Sequence, residues 1–344
     1  MTGDHQKNLP THGGPHSEPG LRHLLQESWK RRRAYVAGNK LEAFRLATKE
    51  DLDIPVAVDV YGAVIAGSGD SAHIERGQAV LQIYQEEMPA GMLEGLRNVL
   101  AADYGLEGFY EKKRFKIKET PDSGGKLGEA PVEFVIQEYG HKFIVNLNNY
   151  LDSGIFLDHR ETRRRVERMS SGLTVLNLFA YTGSFSVYAA AGGAAMTHTV
   201  DLSKTYCDWA RRNLTLNGFP EEKNWIYRMD TFEFYKYAAR KKLKFDLIII
   251  DPPTFSRNKG QNFSVQRDQD FLIASAAKLL NDGGQIIFSN NCQDFLLSTG
   301  LKQTFKVQNI QNETIPLDFW IDTINPNWFA APSQIHNCYL ITKK

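Results

Sequence analysis

The chain has little from which a covalent or metal-bound scaffold is made. Its 344 residues include three cysteines, Cys207, Cys292 and Cys338. They are far apart, odd in number and without CxxC or Cys/His ligand spacing, which argues against a disulfide framework and for a reducing compartment. No apolar run approaches the roughly 18 residues of a membrane span, and no apolar signal core stands at the N-terminus. The chain therefore reads as cytoplasmic, with neither membrane nor metal among its partners. An excess of one charge is missing too: 41 Lys and Arg face 40 Asp and Glu, so any case for nucleic acid rests on local clusters. Residues 1–20 lack large apolar side chains and hold Pro10, Gly13, Gly14, Pro15, Pro19 and Gly20. That is too little to offset the entropy of ordering, and a disordered tail is expected there. The irregular spacing of His5, His12 and His16 does not read as a metal tract.

What is present suits two domains. From Leu21 to about Arg45 the pattern is a basic helix with Arg31, Arg32 and Arg33 on a solvated face. Strands are expected at Val56–Val60 and Ala79–Gln85, and a helix from Gly91 to Tyr104. The segment from Lys112 to Lys118 sets Lys112, Lys113, Arg114, Lys116 and Lys118 around Phe115. It reads equally as an RNA-binding strand, with phosphate contacts and a stacking ring, or as an edge strand that lysine protects from aggregation. Val132–Glu138 and His141–Asn146 alternate at period two across Tyr139-Gly140, the pattern of a hairpin. Residues 21–155 are thus expected to form a smaller α+β domain that positions substrate.

Beyond Thr174 short apolar strands alternate with amphipathic helices. Strands are expected at Thr174–Leu178, Thr197–Val200, Trp225–Arg228, Phe245–Ile250 and Gln285–Phe288, with a last one in Ile335–Ile341. Tyr206, Trp209, Ala210 and Leu214 fall on one face of a helix spanning 204–217. This is the signature of an α/β fold with a Rossmann-like, doubly wound and mostly parallel sheet, assigned here to residues 156–344.

Four successive strand ends each present a polar group, where an open parallel sheet binds its ligand. The first runs into Asn177-Leu178-Phe179-Ala180-Tyr181-Thr182-Gly183-Ser184, with one glycine for a tight turn. The second ends at Asp201, about twenty residues on, where a nucleoside ribose would offer its hydroxyls. The third ends at Asp230, followed by Thr231 and Phe232, a set able to bond and cover an adenine. The fourth ends at Asp251-Pro252-Pro253-Thr254-Phe255, whose prolines force a rigid turn. Taken singly, each acid also reads as a helix N-cap. With no GxGxxG and no Walker lysine, the pattern suits a cofactor with adenosine and no phosphate, S-adenosylmethionine being the common one.

The strings Gly154-Ile-Phe-Leu-Asp158-His159-Arg160, NLFAYTGS (177–184), VDLSKTY (200–206), DPPTFS (251–256) and QIHNC (334–338) resemble the K-type guanine-N7 methyltransferase half of the bifunctional large-subunit ribosomal RNA methyltransferases. The likeness runs from about Leu21 to the C-terminus, and the L-type half is absent. It implies a class I methyltransferase domain whose cofactor pocket is lined by Asn177, Phe179, Tyr181, Gly183, Asp201, Leu202, Asp230, Thr231 and Asp251. Phe156, Asp158 and Arg160 are expected to fold over the methionine end. The arginines that follow, Arg163, Arg164, Arg165 and Arg168, read either as a charged helix start or as phosphate contacts. The implied substrate is 23S ribosomal RNA or a ribosomal precursor.

Guanine N7 has a lone pair and no proton, so its methylation needs positioning and no general base. Asp251, with Pro252 and Pro253, is expected to ease the developing positive charge. Phe255 is expected to stack on an extruded base, with Asn290 and Asn291 reading its edge. The nearest rival is a cytosine-C5 methyltransferase, which needs a cysteine thiolate. In such relatives the cysteine follows the serine at the fifth strand's end, where this chain has Ser289-Asn290, and Cys292 reads as a buried, inert thiol. An exocyclic-amine methyltransferase is a further rival, although Thr254 displaces the aromatic by one place. A third alternative is an RNA-binding assembly factor that keeps the pocket without turnover.

Overall fold

The computed structural model describes residues 17–115, 133–258, 261–320 and 335–344. The expectations for residues 1–16 and for Lys116 and Lys118 lie outside them. Helix α1 (Glu18–Gly38) begins inside the stretch expected to be a tail, because Ser17 caps it, accepting from the Gly20 amide, and Pro19 fills its first turn. Strand β1 (Ala43–Ala47) then takes Arg45 out of the expected helix. After a single turn, α2 (Lys49–Leu52), come the long strands β2 (Val56–Ala66) and β3 (His73–Ile83). Helix α3 (Met92–Tyr104) crosses over to β4 (Leu106–Lys113). The four strands form one sheet in the order β1-β2-β3-β4, antiparallel except for the β3–β4 pair. Leu21, Leu25 and Trp29 of α1 and Leu96 and Leu100 of α3 cover one face of it.

The hairpin β5 (Glu133–Glu138) and β6 (His141–Asn146) turns at Tyr139-Gly140. Its inner side chains Ile136, Phe143 and Val145 share a core with Tyr61 and Val80 of the first sheet. Tyr188 and Leu214, from helices further along the chain, complete that core. The hairpin is therefore the apolar joint between the two halves of the molecule.

Helix α4 (Arg160–Met169) leads into a second sheet. Its strands are β7 (Thr174–Leu178), β8 (Met196–Asp201), β9 (Asn224–Arg228), β10 (Phe245–Ile250) and β13 (Leu280–Asn290), and all pair in parallel. Their helices are α5 (Ser184–Ala191), α6 (Lys204–Leu216), α7 (Thr231–Arg240) and α8 (Val265–Ala277). A small ribbon, β11 (Phe255–Asn258) and β12 (Gln261–Ser264), follows β10. After α9 (Thr299–Thr304), β14 (Phe305–Asn309) and α10 (Gln311–Thr314), the last strand β15 (Asn337–Lys343) enters antiparallel between β13 and β14. The order is β14-β15-β13-β10-β7-β8-β9, so the winding reverses between β7 and β10, the crevice where open α/β sheets bind ligands. Ile248, Ile250 and Phe288 face α8, while Leu247, Ile249 and Ile287 face α4 and α5. Burial on both faces explains why β10 is an unbroken apolar run.

The halves are also bolted together by buried charge. Glu138 receives Arg160 Nε at 2.9 Å and both Nε (2.8 Å) and Nη2 (2.9 Å) of Arg163. Arg160 continues to Asp318 at 2.8 Å and to the Ala43 carbonyl at 2.7 Å. Arg32, expected on a solvated face, is 1% exposed and donates to Asp51 at 2.6 Å and to the Asp318 carbonyl at 2.8 Å. Burial pushes the Glu138 carboxyl up, but Arg163 and Arg160 outweigh it and hold it below the ordinary range. A carboxylate with a depressed pKa stabilises the fold above its unfolded value and loses that contribution as pH falls through the folded one. Glu138→Gln is therefore expected to destabilise the protein by about 3–5 kcal/mol at pH 7. The gap to wild type should narrow below about pH 4; denaturant melts across pH measure both.

Candidate active site

The donor side of the crevice is built by the turn from β7 into α5. Phe179 (φ +54°), Tyr181 (φ +51°) and Gly183 (φ +73°) are all left-handed, a conformation that costs a bulky residue about 1–2 kcal/mol. Neighbouring groups hold it in place. The Tyr181 amide donates to Asp201 Oδ2 at 2.8 Å, and the Tyr181 hydroxyl oxygen accepts from the Gly154 amide at 3.0 Å. Thr182 Oγ1 donates to the Gly154 carbonyl at 2.6 Å, and Asn213 Nδ2 holds the Thr182 carbonyl at 2.9 Å. Gly183 is required twice over, since a Cβ there would lie 2.7 Å from that of Ala210.

Asp201 ends β8 with Oδ1 also accepting from the Ser203 amide at 2.9 Å. Burial pushes its carboxyl up to about 6 against the pull of these amides. Leu202 beside it is half exposed. Asp230 caps α7, with Oδ1 accepting from the amides of Phe232 (2.9 Å) and Glu233 (3.3 Å), and Thr231 is buried behind it. Phe179 stacks on Phe263 and Phe232 on Phe271, an aromatic shelf along this side. Phe156 tilts against Tyr181 with ring centroids 5.2 Å apart. Phe156, His159, Phe179, Tyr181, Phe185 and Asp251 line a small cavity between the strand ends and the segment before α4.

On the acceptor side, Asp251 Oδ1 accepts from Ser289 Oγ at 2.7 Å. Pro252 is buried and Pro253 exposed, and Thr254 Oγ1 donates to Asn291 Oδ1 at 2.9 Å, tying the rim of β10 to that of β13. Phe255 stands 73% exposed on the ribbon. Cys292, read from sequence as buried, is half-buried, and desolvation with Asp294 nearby pushes its thiol up, away from the thiolate.

Sequence reasoning missed two residues here. His159 and His336 stack with centroids 4.3 Å apart and planes 18° from parallel, and His159 Nε2 lies 3.7 Å from Asp251 Oδ1. Asp158 Oδ2 bonds His336 Nδ1 at 3.1 Å, across 178 residues of sequence. Burial pushes the Asp158 carboxyl up, yet the two histidines and Arg163 hold it well below the usual carboxylate range. Burial pulls His159 down, keeping its ring neutral near pH 7. Asp158, His159 and His336 are close enough to hold a metal ion, but the ring planes lie side by side and one His336 nitrogen is bonded to Asp158, which suits a hydrogen-bonded cluster. The sequence signal for these residues was present in the DHR and IHN strings and lacked only an assigned role.

Other expectations need correction. Arg160 does not face the pocket: its guanidinium is fully buried and bonded to Glu138, Asp318 and Ala43. Lys112 is 1% exposed, donates to the Tyr150 carbonyl, and desolvation pushes its amine down to about 8. Arg114 is committed to Gln82 at 2.7 Å and Asp152 at 2.8 Å. Arg164 lies over the Tyr139 ring at 4.2 Å and pairs with Glu161 at 3.6 Å. Lys113 is exposed, and Lys116 is outside the described residues.

A parallel sheet with an acid at its second strand end, and a tight turn too crowded to cradle a pyrophosphate, defines a methyltransferase of the adenosyl-donor class. The S-adenosylmethionine-dependent methyltransferase family matches residues 102–328, and the chain belongs to that family and, within it, to the K type of the large-subunit ribosomal RNA methyltransferases. It is 40% identical over 330 residues to ribosomal RNA large subunit methyltransferase K of Neisseria meningitidis serogroup B, covering 94% of this chain and 85% of that one. Against the K/L protein of Marinomonas it is 35% identical over 322 residues, which span 93% of this chain and 42% of the relative. A solved methyltransferase complexed with SAH superposes with a TM-score of 0.77 at 29% identity, over 94% of this chain and 81% of that one. A SAM-dependent methyltransferase from Streptococcus mutans gives 0.74 at 28% identity, with the same coverage of both chains.

The methyl donor is S-adenosylmethionine, and the residues fit it. Asn177 is buried, its Nδ2 donates to Ser186 at 3.0 Å, and its Oδ1 has no partner among the described residues. An orphaned acceptor of this kind calls for a donor such as an ammonium group. Asp201 offers carboxylate oxygens suited to ribose hydroxyls, and the aromatic shelf an apolar bed for adenine. Donor affinity is expected to weaken as pH falls from 7.5 to 5.5, because Asp201 takes up a proton near 6. Asp201→Asn should bind less tightly and show a flat profile over that range; calorimetric titration checks both.

Proposed function

We propose that this chain methylates N7 of a guanine in large-subunit ribosomal RNA, acting in the cytoplasm on 23S RNA or a ribosomal precursor. The names of the K and K/L relatives support the RNA class. One feature of the acceptor rim carries the choice of atom: it offers a carboxylate and no activated nucleophile. Ser289, next to the last residue of β13, is spent on Asp251 at 2.7 Å. Cys292 is held as a thiol and its amide is turned onto Asn290 Oδ1 at 3.1 Å. Cytosine C5 needs a thiolate to add to the ring, so this geometry disfavours it. A purine N7 lone pair needs only alignment.

S-adenosylmethionine supplies an electrophilic methyl group. The chain's own residues supply the rest. The turn at Phe179–Gly183 and Asp201 fix the donor's orientation. Ser289 holds Asp251 with its charge toward the acceptor, where positive charge appears on the purine as the methyl arrives. His159, neutral in its buried slot, leaves that carboxylate uncancelled. Phe255 is the ring available to stack on an extruded base. Residues 21–155 serve as the RNA-positioning part. With Lys112 buried and Arg114 bonded to Gln82 and Asp152, the exposed Lys113 is the cation of this segment that faces solvent for RNA.

Incubating unmodified 23S RNA with the protein and methyl-labelled donor is expected to yield 7-methylguanine at one position, mapped by mass spectrometry. Another methylated base, or binding of both ligands without transfer, would overturn the proposal. Asp251→Asn should lower kcat by roughly 100-fold.

A further inference from the structure

The N7 reading leaves a problem of selectivity. Adenine also has an unprotonated N7, so alignment alone does not choose guanine, and the two purines differ beside N7: guanine carries the O6 acceptor, adenine the N6 amino donor. An enzyme that selects guanine needs a fixed donor at the acceptor rim.

Asn290 supplies one. It ends β13, one residue beyond the serine that holds Asp251, and it is fully buried. Its Oδ1 is doubly engaged, by the Cys292 amide at 3.1 Å and by Asn337 Nδ2 at 3.3 Å. Two donors on the oxygen fix which way the carboxamide faces. Among the described residues its Nδ2 has no hydrogen-bond partner. A buried donor left unmade costs about 1–3 kcal/mol, and such a group in a native site asks for a ligand. Of its neighbours, Ser289 is bonded to Asp251, and the exposed Asn291 uses its Oδ1 to receive Thr254. Asn177 Oδ1 and Asn290 Nδ2 are the two buried carboxamide atoms without partners among the described residues. One is an acceptor at the donor-binding strand end, the other a donor at the acceptor strand end.

We infer that Asn290 donates its Nδ2 hydrogen to O6 of the acceptor guanine and is the residue that rejects adenine. Adenine would set its amino group against the carboxamide, two donors facing each other with the buried amide again unpaired. The inference rests on the guanine-N7 reading and goes beyond it, because N7 transfer does not require any contact to position 6.

The test pairs a change in the RNA with a change in the protein. At the mapped position guanine is replaced by 2-aminopurine, which keeps N7 and the N2 amino group and lacks O6. With wild-type protein kcat/KM is expected to fall roughly 10- to 100-fold. Asn290→Ala should lose a similar factor on guanine and little more on 2-aminopurine, so that the two losses do not multiply. Asn290→Asp, which replaces the donor with an acceptor, should lose more on guanine than Asn290→Ala does. Affinity of the SAH-bound protein for the two RNAs, measured without turnover, should show the same non-additivity, while donor affinity stays near wild type. If wild type accepts 2-aminopurine as well as guanine, or if the losses multiply, the Asn290 inference falls even where the product is 7-methylguanine. The 2-aminopurine arm needs no variant, so a misfolded substitution does not protect the idea. A product other than 7-methylguanine would instead sink the N7 reading itself.

Discussion

The structure depends on one buried carboxylate. Glu138, at the end of β5, sits between Arg160 and Arg163 of α4 and also accepts from the Tyr188 hydroxyl at 2.9 Å. Removing charges from water is unfavourable, and the arrangement is stable only because nearly every donor finds an oxygen. Arg160 reaches Asp318, whose other carboxylate oxygen takes the Arg45 amide at 2.9 Å. Four parts of the chain that share little sequence proximity thereby acquire one geometry: the first sheet, the hairpin, α4 and the segment before β15. This charge cluster reaches the pocket through Arg163, which lines it and donates from Nη1 to the Phe156 carbonyl at 2.7 Å. The wall of the donor pocket is thus anchored by the same arginine that closes the joint between the halves.

Parts of the site that depend on local chain behaviour were legible in the sequence. The apolar run of β10 ended by Asp251-Pro-Pro, the NLFAYTG turn and the acids at 201 and 230 all express rules acting within a few residues, and β7, β8, β9 and β10 came out within about a residue of their expected ends, whereas β2, β3 and β13 run longer than expected. Asp230 proved to be a helix cap by geometry, the reading its position always allowed. What stayed hidden was partnership over distance. Arg160 has the residue type of a ligand contact, and only its pairing with Asp318, 158 residues away, shows it to be structural. Lys112 misled for a different reason. In a strand, alternate residues face opposite sides, and β4 puts Lys112 inward with Tyr110 while Lys113 points out. Counting positive charges without that alternation made one surface out of two faces.

The donor and acceptor sides differ in how firmly they are made. Three left-handed residues in five positions would relax if freed, and they are restrained by backbone and side-chain bonds from β8, α6 and the Gly154 loop. That half is rigid and preformed, as suits a small cationic ligand of constant shape. The acceptor rim is more open at Phe255, which stands exposed on a two-stranded ribbon. A base taken out of an RNA fold has to enter from solvent, and the openness lies on the side where it would arrive.

The placement of β15 adds a question of timing. It is the last strand in sequence, yet it lies between β13 and β14 and brings His336 and Asn337 against Asp158 and Asn290. Strands β7, β8 and β9 are consecutive and pair as neighbours, so the donor pocket can close from local segments while synthesis continues. The acceptor side is complete only when β15, later in sequence than every other strand of the sheet, has inserted. The strands that frame the donor pocket thus come earlier in the chain than the strand that fixes the Asn290 carboxamide.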